Sequence, residues 1–277
     1  MSLKGTADET LALLEAGHFT APDGRRVELH AEQAQAVQGT RLYTPEQGNA
    51  LLASRSASEG GRPRIEVTAE TTQIAARRLV LDEGVDDPLL LNFASARNPG
   101  GGFVNGAKAQ EEDLCRCSGL YPTLLAQRAY YDANRACTSA LYTDHLIHSP
   151  RVPWFRARSR DRPDALFLAS VITAPAPNAG VVREREPHAI DDIETTLRRR
   201  AGCVLSVAAA HGHRTLLLGA WGCGVFRNDP VQVADAFGAW LESPQFAGAF
   251  DRVVFAVYDT SKTQGTLRAF EARFGAA

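Results

Sequence analysis

The chain has 277 residues, 44% hydrophobic and 22% charged, with 30 Lys+Arg against 32 Asp+Glu and a net charge of −2. That composition is ordinary for a globular protein, and it contains no run of about 18 apolar residues that could span a membrane. Proteins that coat duplex nucleic acid are clearly basic, so that class is disfavoured, whereas a small anion held by backbone groups stays open.

The N-terminus, Met1 to Leu14, carries Asp8 and Glu9 and lacks the basic start and apolar stretch of a signal peptide. Five cysteines, an odd and sparse number, fit free thiols in a reducing cytoplasm. An amphipathic stretch over Thr10 to Ala16 leads to a turn signal, Phe19-Thr20-Ala21-Pro22-Asp23-Gly24, and then to the alternating Arg26-Val27-Glu28-Leu29. A helix is predicted around Ala31 to Val37. The polar, Gly-rich stretch from Ser54 to Gly61 reads as a linker or exposed loop.

From Arg64 onward strand and helix patterns alternate. Ile65 to Thr68 is a short strand and Gln73 to Leu81 looks helical. Leu89-Leu90-Leu91-Asn92-Phe93-Ala94 is an apolar run of the kind buried on both faces of a sheet. A helical region covers Ala109 to Arg135, interrupted near Gly119 and Pro122. Strand-like runs recur at Leu146 to Ser149, Leu166 to Thr173, Thr215 to Leu218 and Val253 to Tyr258. Ile190, Ile193, Leu197, Ala201, Val204 and Ala208 keep a helical spacing, and Gly212 suits the left-handed stop. The alternation predicts an α/β sheet covered on both faces, with ligands at the carboxyl ends of its strands.

Two glycine loops sit at such ends. Asn98-Pro99-Gly100-Gly101-Gly102-Phe103 follows the strand ending near Ala94, and Gly219-Ala220-Trp221-Gly222-Cys223-Gly224-Val225-Phe226 follows the strand ending near Leu218. Glycines there let backbone N–H groups approach an anion closely, and a diphosphate suits both loops. A single glycine pair is ordinarily just a tight turn; two independent loops at strand ends weigh toward a ligand. Neither loop is a P-loop: Gly101 and Gly106 have the spacing, but Ala107 precedes Lys108 and Ala109 stands where a hydroxyl is required. Neither fits the dinucleotide fingerprint either, because Gly222 and Gly224 are followed by Phe226-Arg227.

Between the first loop and its helix lies Gln110-Glu111-Glu112-Asp113. Acids at a helix start commonly just complement the macrodipole. Behind a ligand-cradling loop they gain a second meaning. Adjacent side chains leave a helix about 100° apart, so one carboxylate can bind while the other handles a proton.

Gly100-Gly101-Gly102, seven residues, then Gln110-Glu111-Glu112 resembles the signature of poly(ADP-ribose) glycohydrolases. Ala96-Arg97-Asn98-Pro99 and the second glycine loop look like the bacterial-type branch. The resemblance runs from about Ile65 to Tyr258. It implies a macrodomain fold, a three-layer α/β/α sandwich with a mixed sheet, over residues 61–277, preceded by an N-terminal accessory segment over residues 1–60. It further implies hydrolysis of ribose–ribose O-glycosidic bonds in poly(ADP-ribose), with ADP-ribose released.

The same resemblance implies residue roles. Glu112 is the catalytic acid, and Glu111 holds the ribose hydroxyls beside the bond being cut. Asn98 orients that distal ribose, and Gly100, Gly101 and Gly102 close against ribose and phosphate. Gly222, Cys223, Gly224, Val225 and Phe226 wrap the diphosphate, with the Phe226 ring beside the ribose. Phe103, Val104, Gln110 and Trp221 complete the substrate-binding set. Thr72, in the loop Glu70-Thr71-Thr72, lies at the adenine end, although Glu70 stands where many macrodomains have aspartate.

The chemistry is then oxocarbenium-like: the departing oxygen needs a proton and the cation needs nearby negative charge. A helix N-terminus lowers a carboxyl pKa, whereas an acid working at neutral pH wants it raised, so burial must win. No metal and no cofactor are expected. Cys115 and Cys117 are two apart, without a Cys-x-x-Cys or matching histidine pair for zinc. His145 and His148 could share a helical face, and His211 and His213 flank a helix end; both pairs read as ordinary polar positions. Arg156, Arg158, Arg160 and Arg162 form either a solvated loop or a patch that steers a polyanion. The expected partners are poly(ADP-ribose) and ADP-ribosylated proteins, with no duplex nucleic acid, no membrane, and a monomer as the working expectation. Two alternatives stand beside this reading: a macrodomain that binds ADP-ribose without catalysis, and a mono-ADP-ribosyl hydrolase on the same fold.

Overall fold

The structure is a computed structural model and describes residues 2–275. Helix α1 (Leu3–Ala16) starts before the amphipathic stretch at Thr10, because the Ser2 side chain accepts from Gly5 N and caps it. Gly17, at φ +72°, ends it. A hairpin of β1 (His18–Thr20) and β2 (Arg26–Glu28) encloses the Pro22-Asp23-Gly24 turn. Next come α2 (His30–Gly39), β3 (Arg41–Tyr43) and α3 (Pro45–Ala53). Periodicity does not reveal β3 or α3. The start of α3 is nonetheless written in the chain: Thr44 and Gln47 form a capping box around Pro45. Residues 54–61 are irregular and mostly exposed, yet Ser58 N donates to Pro244 O at 3.0 Å and Arg55 Nε to Gln245 O at 3.0 Å. The stretch is pinned along its length.

The main sheet also contains β4 (Arg64–Thr68), β5 (Leu89–Phe93), β6 (Leu146–Trp154), β7 (Phe167–Ala174), β8 (Thr215–Gly219) and β9 (Arg252–Ala256), in the order β3-β6-β7-β5-β8-β9-β4. Five neighbours, β7 to β4, are parallel; β6 is antiparallel to both β7 and β3. Strand residues alternate between two cores, Leu89 and Leu91 facing one and Leu90 the other, as in a sheet covered on both sides. The first core is closed by α8 (Ala179–Arg185), α9 (Asp192–Ala210), α10 (Pro230–Leu241) and α11 (Gly265–Phe274). The second is closed by α1, α4 (Thr72–Arg77), α5 (Gln110–Cys117), α6 (Leu120–Leu125) and α7 (Arg128–Ala136). Among the described residues no helix is long and apolar enough to cross a membrane.

Several expectations need correcting. The helical region from Ala109 breaks near Gly119, where Ser118 bridges to Trp154, but Pro122 causes no break. It lies in the first turn of α6, which tolerates a missing N–H, and the second break falls at Ala126 and Gln127. The helix predicted over Gln73 to Leu81 closes as α4 followed by a wider π turn, Arg78–Asp82. Strand β6 runs past Ser149 to Trp154 through a bulge. His148 therefore lies on a strand, not on a helix face; its Nε2 is 3.0 Å from His213 Nε2 and its ring stacks on His211 at 3.7 Å. Arg156 is no surface residue. Fully buried, it reaches Glu9 Oε2 at 2.6 Å and Thr10 Oγ1 at 2.6 Å, tying α1 to the end of β6, while Arg158 stays exposed.

Candidate active site

The loops at the carboxyl ends of β4, β5, β8 and β9 enclose a cleft of about 960 Å³. The start of α5 faces it. Leu114, Cys115 and Cys117 bury one side of this short helix in the core, which carries the first turn, with Glu111 and Glu112, under the β5 loop. Arg116, fully buried, donates to Ala107 O at 3.0 Å and pairs with Asp113 at 2.7 Å, so loop and helix move as one piece.

Glu111 is 2% exposed and Glu112 8%. Asn92 Nδ2 donates to Glu111 Oε1 at 3.1 Å and Ser95 N donates to Oε2 at 2.7 Å. Burial nevertheless pushes the Glu111 carboxyl up to about 8, and the charge of Glu112 adds to the push. Desolvation thus wins over the helix terminus at this residue. Glu112 is held differently. Gly102 N donates to its Oε1 at 2.9 Å, while Oε2 is buried with no partner among the described residues.

The two glycine loops divide the work. In the first, Gly101 N donates to Asn98 O, Gly102 N to Glu112 and Phe103 N to Gly100 O, so these amides face the protein rather than an anion. Gly100 and Gly101 take φ of +67° and +57°, and a Cβ on Gly101 would overlap Glu112 Oε1. In the second loop the N–H groups of Gly224, Val225 and Phe226 have no partner among the described residues. Three successive free donors at a loop tip make a ready anion nest. Asn228, which sequence reasoning missed, holds this loop in place by donating to Pro177 O at 2.8 Å and Gly222 O at 3.1 Å.

Of the residues singled out from the sequence, Thr72, Asn98, Gly101, Gly102, Gln110, Glu111, Glu112, Gly222, Cys223, Gly224, Val225 and Phe226 line the cleft. Gly100, Phe103, Val104 and Trp221 do not. Phe103 is fully buried against Tyr121, Val104 is half-exposed outside the cleft, and Trp221 is buried with its indole N–H on Ala174 O at 3.0 Å. Gln110 lines the cleft, but its amide accepts from Phe93 N at 2.8 Å and donates to Leu91 O at 2.8 Å and Thr72 Oγ1 at 3.2 Å. It braces the end of β5. Glu70 pairs with Arg78, whose guanidinium holds its carboxyl below the usual range.

The family model described as microbial-type PARG, catalytic domain, matches residues 7–157, more than half of the chain and including the first glycine loop and α5. The chain belongs to the microbial-type PARG family. Among solved structures, poly(ADP-ribose) glycohydrolase from Thermomonospora curvata, bound to the inhibitor ADP-HPD, is 46% identical with a TM-score of 0.91, covering 98% of this chain and 99% of that one. The enzyme from Deinococcus radiodurans in complex with ADP-ribose is 50% identical with a TM-score of 0.82, covering 89% and 98%. No curated protein matches. The sheet and its two helical layers are those of the macrodomain-like PARG fold.

In this microbial-type PARG two further features escaped the sequence reading. Asn92, the one polar residue within the apolar run of β5, is fully buried and holds Glu111; its presence there is itself a signal. The loop after β9 brings Tyr258, Asp259, Thr260 and Ser261 to the cleft, as the rule of strand carboxyl ends predicts once applied to every strand.

Proposed function

We propose that this microbial-type PARG hydrolyses the ribose–ribose bonds of poly(ADP-ribose) and releases ADP-ribose, with Glu112 as general acid and then general base. The observation that carries this reading is Glu112 itself: one oxygen fixed by Gly102 N, the other buried and without a partner among the described residues, beside a neighbour whose carboxyl titrates near 8. A binding module needs no such pair.

Burial keeps the Glu111 carboxyl protonated at neutral pH, next to Glu112 in the first turn of α5. Glu112 passes its proton to the departing hydroxyl oxygen as the bond to the anomeric carbon breaks and the electron pair goes to that oxygen. Negative charge on the pair faces the oxocarbenium-like centre. Water then adds to the anomeric carbon and its proton returns to Glu112, restoring the starting state. Glu111, held by Asn92 and Ser95, keeps the distal ribose in register. The free amides of Gly224, Val225 and Phe226 take the diphosphate, and the Glu70 to Gln73 turn borders the adenine.

Residues 61–277 carry this chemistry as the catalytic domain, with residues 1–60 an accessory segment that also lends β3 to its sheet. Every group invoked lies on one chain, so a monomer suffices. Five unpaired thiols suit a reducing cytoplasm. The test is incubation with automodified polymer: free ADP-ribose should accumulate with time. Polymer left intact, with ADP-ribose still bound in calorimetry, would establish a binding module instead.

A further inference from the structure

A second cleft, of about 360 Å³, opens beside the first and is lined by Pro99, Leu125, Arg128, Tyr131 and Arg135. The turn after β5 is the partition: Asn98 lines the first cleft and Pro99 the second. The sheet order explains the arrangement. The loops of β8, β9 and β4 lie on one side of β5, whereas α6 and α7 precede β6 on the other side.

The donors in this cleft are of one kind. Arg128 is exposed at the start of α7 and has no ion pair among the described residues. Arg135 donates to Arg97 O at 2.5 Å and to Asp132 Oδ1 at 2.6 Å, which anchors its guanidinium to the partition itself. Tyr131 is 1% exposed, and its hydroxyl is buried with no partner among the described residues. Burial and the nearby Glu111 carboxylate keep that hydroxyl well above the ordinary tyrosine range, so it stays un-ionised. Two guanidiniums over a floor formed by Tyr131 are suited to phosphate oxygens. Pro99 and Leu125 add apolar surface for a sugar.

We propose that this second cleft binds the pyrophosphate of the next ADP-ribose unit, the one on the leaving side of the bond that Glu112 cuts. The inference rests on the function proposed above. A chain held at Glu112 has one unit in the first cleft, and its continuation leaves past Asn98 and Pro99, where the two arginines lie. Polymer then engages two clefts and a single unit only one, so affinity for polymer gains through linked binding.

The experiment compares two substrates at fixed, near-physiological ionic strength: polymer, and ADP-ribose joined at its distal anomeric carbon to a fluorogenic phenol. Arg128→Glu should raise KM for polymer about tenfold, with kcat/KM for the phenol glycoside within about twofold of wild type. Arg25→Glu, a charge reversal on the exposed β1–β2 turn that lines neither cleft, should leave polymer KM within about twofold. Equal losses on both substrates in Arg128→Glu, no loss on either, or the same KM rise in Arg25→Glu would overturn the assignment. Wild-type protein that cleaves the phenol glycoside but not polymer would remove the underlying reading, and this cleft's role with it.

Discussion

The backbone N–H of Gly102 donates to Glu112 Oε1 at 2.9 Å, binding the glycine loop to the carboxylate ten residues later. The bond orients Glu112 before any substrate arrives, and it leaves the other oxygen to the acid role proposed for this residue. Pre-set geometry of this sort removes reorganisation from the chemical step.

Glu112→Gln keeps that acceptor and removes the proton donor. Turnover should fall by roughly 100-fold or more while ADP-ribose affinity survives. Steady-state kinetics on polymer, alongside calorimetry with ADP-ribose, check both halves. Near-normal turnover would take the acid role away from Glu112.

Glu111 links the site to pH. Its carboxyl is raised by burial from the ordinary 4.5 to about 8, so within that window the native protein holds a proton that the unfolded chain has released. Stability from this source is complete below about pH 4.5 and is lost as pH climbs to about 8. Glu111→Gln removes the titration, so its stability relative to wild type should improve between pH 5 and pH 9. At roughly 1.4 kcal/mol per pKa unit, the relative change should reach roughly 3–5 kcal/mol. Denaturant titrations at the two pH values measure it. By the same logic kcat should decline above about pH 8, as Glu111 becomes charged.

Gly101 and Gly224 should respond in opposite ways. Gly101→Ala places a methyl at a positive φ and against Glu112 Oε1, so kcat should drop about tenfold or more and stability by roughly 1–2 kcal/mol. At Gly224 an added Cβ meets open space. Gly224→Val should therefore leave the melting temperature within about 2 °C while branched carbons screen the free amides, weakening ADP-ribose binding about tenfold. Unchanged affinity would remove this loop from the diphosphate site.

Activity should persist within about a factor of two after exhaustive EDTA treatment. Among the described residues no group of three or more His, Cys, Asp or Glu could hold a metal ion, and the three free amides of the second glycine loop repel cations. Loss of turnover on chelation, restored by magnesium or zinc, would overturn the metal-free mechanism proposed for Glu112.

Much of the site was legible because its signals are local. Glycines beyond a strand and acids at a helix start mark their own positions, and both loops and both carboxylates do meet in one cleft. What local pattern could not show was which amides would be free. The first loop looked like an anion cradle, but its N–H groups close on Asn98, Gly100 and Glu112, a set of bonds fixed only once α5 packs beneath it. Arg156 misled for a similar reason: its partner Glu9 lies 147 residues away. Trp221 and Phe103, next to glycines, were drawn into the core by their area rather than into the site. The strand β3 is three residues long and has no periodicity to display.

That short strand has a wider consequence. It covers one margin of the sheet, pairing Arg41, Leu42 and Tyr43 with His148, Ile147 and Leu146. A chain lacking residues 1–60 would still contain Glu111, Glu112 and both glycine loops, but it would uncover the edge of β6 at Leu146, Ile147 and His148. Such a truncation should self-associate as its concentration rises, through copies of β6 adding to one another. Residues 1–60 thus also act as a chaperone for the sheet's open side, protecting colloidal behaviour.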